Sequence, residues 1–130
     1  MVSDVVSLVT GGCGFIGSHM VDRLLAEGHT VRVIDNWTTG RPENLDHQKE
    51  NPNLTIHHMD IRNREEIEPV FQGVDYVFHF AALADIVPSI QKPWEYYSSN
   101  VLGTYNVVEC AKNAGIRKLV YAASSSCYGI

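Results

Sequence analysis

Three glycines stand three residues apart in LVTGGCGFIGSHM, at Gly11, Gly14 and Gly17. Residues without Cβ allow a tight turn and a close approach of backbone to an anion, so the loop can wrap a phosphate. The spacing alone is a weak signal. It gains weight because the loop follows a short β-branched run, VVSLVT (Val5–Thr10), and opens an amphipathic segment. In that setting Gly11 turns the chain off the strand and Gly14 lets backbone approach a pyrophosphate. Gly17 lets helix and sheet pack closely. Asp35 ends the next apolar run, near the offset of about 20 residues expected for a carboxylate that accepts hydrogen bonds from an adenosine ribose. A carboxylate there repels a 2′-phosphate and favours NAD over NADP, although Arg32 and Arg41 flank it and could soften that preference. The plain alternatives are a strand–helix turn that merely favours glycine, and a solvated strand end for Asp35.

The elements that would position these residues alternate along the chain. Val5–Thr10 reads as a buried strand. From Phe15 to Glu27, Ile16, Met20, Val21, Leu24 and Leu25 fall on one helical face, and Gly28 supplies the stop. Thr30–Asp35 and Asn53–Met59 read as strands two and three. Asn63 is an N-cap with Glu66 at capping-box spacing, and Pro69 shortens the helix that follows. VDYVFHFAA gives a fourth strand. Pro93 opens a long helix, Trp94 to about Asn113, closed by Gly115, and KLVYAAS gives a fifth strand. The expected fold is α/β: a Rossmann-type, doubly wound parallel sheet with helices on both faces, in the order 3-2-1-4-5.

Bulk properties set limits. The chain has 130 residues, enough for one domain with its own core, here residues 1–130. A net charge of −5 argues against non-specific nucleic-acid binding and against a basic membrane patch. No apolar run approaches the roughly 20 residues of a membrane span. The N-terminal stretch lacks the basic segment of a signal peptide. Three cysteines, Cys13, Cys110 and Cys127, form no C-x-x-C, which fits a reducing, cytoplasmic setting. Cys13 and Cys127 read as small buried fillers. The pair His57-His58 ends an apolar run and has no second pair at ligand spacing, so no metal site is expected. Trp94 and Tyr97 read as packing residues.

In order along the chain, TGGCGFIGSH, DNWTTG, MDIRN, HFAALA and SSNVLGTYNVVECAKNAGIRKLVYAASSSCYG resemble the extended short-chain dehydrogenase/reductase family, best known for nucleotide-sugar epimerases and dehydratases. The resemblance covers nearly the whole chain, and the joint order of the stretches is more specific than any one of them. It implies that Gly11, Gly14, Phe15, Ile16 and Gly17 form the phosphate turn. Asp35 and Asn36 would bind the adenosine ribose, and Asp60 and Ile61 would flank adenine. Phe80, Ala81 and Ala82 would line the cofactor groove. Asn100 would make a structural or cofactor-side hydrogen bond. Ser124 would bond the reacting sugar oxygen as a catalytic residue, with Ser125 and Ser126 as neighbours. Plainer roles stay open: a loop carboxylate for Asp60, a surface amide for Asn100, a strand-end turn for the serines.

In that family a tyrosinate takes a sugar proton while hydride passes to NAD, and a lysine four residues on lowers the tyrosine pKa. None of the six tyrosines here has such a lysine, and the family's pair normally follows the serine segment. The expectation is therefore the N-terminal, NAD-binding part of a longer enzyme, a fragment or truncated reading frame that is inactive alone. ASSSCYG favours epimerases over dehydratases, which usually place acidic residues where Ser125 and Ser126 stand. UDP-sugars, with 4-epimerisation, are the first substrate expectation. Ala84 departs from some hexose 4-epimerases, which carry lysine there. A homodimer through the long helix is implied for complete enzymes. The alternatives are a stand-alone NAD-binding module, or a dehydratase, decarboxylase or reductase branch of the same family.

Overall fold

The computed structural model describes residues 4–130; Met1–Ser3 of the stretch judged against a signal peptide, and of the 1–130 domain, lie outside the described residues. Strand β1 (Val6–Thr10) leads through the glycine turn into helix α1 (Phe15–Ala26), then β2 (Thr30–Asp35). A 3-10 segment, Pro42–Gln48, precedes β3 (Leu54–His58). Helix α2 (Arg64–Ile67) passes into a 3-10 turn, Glu68–Phe71, and then β4 (Tyr76–His79). Helix α3 (Ile86–Gln91) follows. Helix α4 (Pro93–Tyr97), a π-turn (Ser98–Leu102) and α5 (Gly103–Ala114) form one unbroken helical run, followed by β5 (Lys118–Tyr121).

The five strands pair in parallel in the order β3-β2-β1-β4-β5, as the alternating pattern implies. One face packs Leu8, Ile34 and Val77 against Phe71, Val107, Cys110 and Ala111. The other packs Val9, Val31 and Val33 against Val21, Leu24 and Leu45. Both faces of β1 are thus covered, which is why its buried residues, Ser7 to Thr10, run on without alternation.

The punctuation behaves as read. Gly28 and Gly115 have positive φ, 86° and 68°, at the ends of α1 and α5. The Asn63 side chain accepts from Glu66 N–H and donates to Glu66 Oε2. α2 stops at Ile67, ahead of Pro69. Strands four and five are shorter than expected, ending at His79 and Tyr121. α3, the Pro42–Gln48 segment and the π-turn are additions to the sequence reading.

Three expectations fail. Ile16 does not join the buried face of α1; it is exposed, and the inward residues are Gly17, Ser18, Val21 and Leu24. Trp94 and Tyr97 lie on the surface, with rings 5.8 Å apart against each other. Cys127 is exposed, while Cys13 is fully buried. All three cysteines are free thiols. No helix among the described residues is long and apolar enough to cross a membrane.

Candidate functional site

In a doubly wound sheet the crevice lies beyond the C-terminal strand ends, where the strand order reverses. Here that point is between β1 and β4. Gly11 follows β1 with φ of 71°, and a Cβ there would sit 2.8 Å from Ala81 N and 2.9 Å from Phe80 C. The glycine thus lets two strand exits touch. A Cβ on Gly17 would fall 2.1 Å from Gly11 O, so Gly17 seats α1 on the turn itself rather than on the sheet. Gly12, which the spacing argument passes over, leaves no room either: its Cβ would meet Val33 methyls at 2.7 Å. Gly14 differs. A Cβ there would meet only Gly11 O, at 3.3 Å, and Gly14 lines the cleft.

The cleft runs over the ends of β1, β2, β3 and β4. Of the residues assigned from the sequence, Gly11, Gly14, Asp35, Asn36, Asp60, Ile61, Phe80, Ala81 and Ala82 line it together. Thr38, Thr39, Gly40, Met59, Leu83 and Ser99 line it too, and were not singled out. The DNWTTG stretch held a signal for three of these, since a loop leaving the Asp35 strand end must pass the same crevice. Phe15 and Ile16 do not line the cleft, and the two residues are 78% and 64% exposed. Any part they take in a phosphate turn falls to their backbone N–H groups at the start of α1, which have no carbonyl one helical turn earlier to bond.

Asp35 is buried, and its carboxylate ties the turn to the next loop. Oδ2 accepts from Cys13 N–H at 3.0 Å and Oδ1 from Trp37 N–H at 2.8 Å. A carboxylate has about four lone-pair positions, so acceptor capacity remains toward the cleft. Burial pushes the Cys13 thiol up to about 11, and the Asp35 charge adds to the rise. Arg32 points elsewhere, donating to the carbonyls of Val70 and Gln72 at 2.7 and 2.6 Å, so it does not offset Asp35. Trp37 is the one non-glycine with positive φ among the described residues, at 61°, and its ring stacks on His58 at 3.7 Å.

Asn36 donates to Asp60 Oδ2 at 3.1 Å. Arg62 grips Asp60 through Nη2, Nε and its own backbone N–H, and these bonds hold the Asp60 carboxyl down at about 2. Ile61 is buried in the core. Asn100 does not line the main cleft. From within the π-turn it accepts from Leu83 N–H and donates to Leu83 O, both at 2.8 Å, and so pins the segment after Phe80–Ala82. A second, smaller recess shares Phe80, Ala81 and Ala82 as a wall and is completed by His79, Asn100, Thr104, Tyr121 and Ala122. Ser124 lines neither recess. It is exposed two residues past Ala122 and caps a short turn, Ser125–Tyr128, by accepting from Ser126 N–H at 3.1 Å. Its hydroxyl proton is not used in that bond.

The profile of the NAD dependent epimerase/dehydratase family matches residues 7–130. The chain belongs to that family. It is 43% identical over 122 residues to UDP-glucuronic acid decarboxylase 2 of Arabidopsis thaliana, covering 94% of this chain and 26% of that protein. It is 39% identical over 129 residues to UDP-glucose 4-epimerase 2 of the same plant, covering 94% of this chain and 37% of the relative. Among solved structures, the Thermus thermophilus UDP-glucose 4-epimerase complex with NAD superposes with a TM-score of 0.82 at 38% identity, over 92% of this chain and 38% of that one. The chain thus spans about a quarter to two fifths of the proteins it resembles.

Proposed function

We propose that this chain is the NAD-binding portion of a nucleotide-sugar epimerase acting on a UDP-sugar. The observation that carries the reading is one cleft at the β1/β4 crossing that gathers Gly11, Gly14, Asp35, Asp60 and the Phe80–Ala82 wall. The fit to a dinucleotide rests on the open side of Gly14 and the spare acceptor capacity of buried Asp35. The first turn of α1 would hold the pyrophosphate through backbone N–H groups and the helix dipole. Asp35 and Asn36 would hold the adenosine ribose, and Asp60 and Ile61 the adenine edge. Ser124 would donate its hydroxyl proton to a sugar oxygen. Bound NAD supplies the hydride acceptor; the protein supplies orientation and proton placement.

Decarboxylation of a UDP-sugar acid is the second reading, because relatives of both kinds match at close identities, 43% and 39%. Two experiments test these proposals. Calorimetry on the 130-residue chain should show NAD binding, and Asp35→Ala should weaken NAD by about tenfold or more while weakening NADP less. Equal losses, with unchanged circular dichroism, would remove the role given to Asp35. The coding sequence beyond Ile130 should continue into Tyr-x-x-x-Lys, and the full-length product, assayed on UDP-glucose and UDP-glucuronic acid, separates the two readings. A stop codon after Ile130 would sink catalysis and leave a stand-alone NAD-binding module.

A further inference from the structure

His79 is 2% exposed, carries no charged partner among the described residues, and sits between two threonines. Its Nδ1 lies 2.6 Å from Thr10 Oγ1 and its Nε2 lies 2.8 Å from Thr104 Oγ1. Distances alone leave the tautomer open, because hydroxyls both donate and accept. Two further bonds decide it. Thr10 Oγ1 also receives the backbone N–H groups of Phe80 and Ala81, each at 3.1 Å; Phe80 N–H shares its proton with the Thr10 carbonyl, also at 3.1 Å, while Ala81 N–H gives its own to Oγ1. Both are obligate donors, and their hydrogens face the lone-pair side of that oxygen. The one bond left to Thr10 is donation of its proton, and the acceptor is Nδ1. The ring is therefore protonated on Nε2, which donates to Thr104.

We infer that His79, as a neutral Nε2–H imidazole, is a positioning residue for the cofactor cleft: it turns the Thr10 hydroxyl toward itself so that the lone-pair side of that oxygen holds the Phe80–Ala82 wall. The inference rests on the cleft reading above for its functional consequence, and on geometry alone for the hydrogen-bond chain. Thr104 lies in α5, one residue after Gly103, where a Cβ would strike Ile61 Cδ1 at 2.6 Å. The helix is therefore packed too closely on the loop after β3 to shift freely. The imidazole spans from this fixed helix to the end of β1, and the wall hangs from that span. A doubly protonated ring would have no acceptor at Nδ1. The Thr10 hydroxyl would then have to accept from the ring as well; Phe80 N–H would keep the Thr10 carbonyl, and the weakened bond would be that of Ala81 N–H, whose acceptor is Oγ1.

The test uses the whole 130-residue chain in three arms. Long-range proton–nitrogen spectra at pH 7 should show Nδ1 of His79 unprotonated and Nε2 protonated; the opposite tautomer overturns the inference. His79→Phe and Thr10→Val should speed amide exchange at Ala81 by about tenfold or more, with Phe80, which keeps the Thr10 carbonyl, less affected and the β2 and β3 amides unchanged as internal control. Thr10→Ser, which keeps the hydroxyl, should restore protection. An Ala81 amide that exchanges at the wild-type rate in His79→Phe overturns the inference; if that variant fails to fold, the tautomer and the Thr10 pair still decide it. NAD affinity should fall about tenfold in Thr10→Val and recover in Thr10→Ser. Absence of NAD binding in the wild-type chain overturns the cleft reading instead, and the first two arms still decide the hydrogen-bond chain.

Discussion

His79 and Asp60 give the fold its response to acid in two separate windows. Burial lowers the His79 pKa to about 4 from 6.5, so the unfolded chain binds the extra proton first. Stability from this group is whole above pH 6.5 and falls as pH drops toward 4, by about 3 kcal/mol in all. His57, lowered by burial and then by Arg32, adds to the same window. Asp60 acts lower: its carboxyl is held at about 2 by Arg62, so its contribution is lost between pH 4 and 2. Urea denaturation from pH 7.5 to 4.5 should show this loss, and His79→Gln should flatten it. A stability that does not change over that range would contradict the buried neutral ring. The HFAALA stretch pointed to Phe80–Ala82 but not to His79. What makes the histidine matter is a threonine 69 positions away, a contact that no local pattern encodes.

At the level of elements, the glycine turn was legible and the rotation of α1 was not. Five apolar residues suggested one buried face that included Ile16. Gly17 has to face the Gly11 carbonyl, however, and each residue turns the helix by about 100°. Residues one and two places earlier are then carried out toward solvent, which is why Ile16 and Phe15 are exposed. The contact that sets this rotation is backbone against backbone, so Gly17→Ala should be severe, costing about 3 kcal/mol or more. Gly115→Ala, with φ of 68° but nothing within 4 Å of its Cβ, should cost about 1–2 kcal/mol. Comparable midpoints for the two variants in chemical denaturation would refute the ranking. The π-turn was equally hidden. The sequence there reads as ordinary helix, and only Asn100, paired with Leu83 on both backbone groups, shows what the extra width positions.

Over the whole molecule, strand order followed from the alternating elements, and Gly11, Gly14 and Asp35 from their spacing; Asn36, Asp60, Ile61 and Phe80–Ala82 were reached through the family resemblance. Which residues form the uncovered apolar surface was not legible. Ile86, Val87, Ile90, Trp94, Val101, Tyr105, Val108, Val120 and Tyr121 are all more than 40% exposed. Val101, Tyr105 and Val108 recur at helical spacing along one run. Apolar surface of this extent drives association. Light scattering should therefore give a mass that rises with concentration in the micromolar range. A double change, Val101→Lys with Tyr105→Glu, should return it to 14.5 kDa with helix content unchanged. A wild-type chain that scatters as a monomer at every concentration would contradict this.

The stacked Trp37 gives the cleft an optical readout of its own. Only two tryptophans are present, so Trp94→Phe leaves a single indole emitter. That emitter is fixed by its bond to Asp35 and its stack on His58, between Asn36 and Thr38, which line the cleft. Filling the cleft should change the emission maximum or intensity of that one ring without any added label, and the same titration in Asp35→Ala should lose the response.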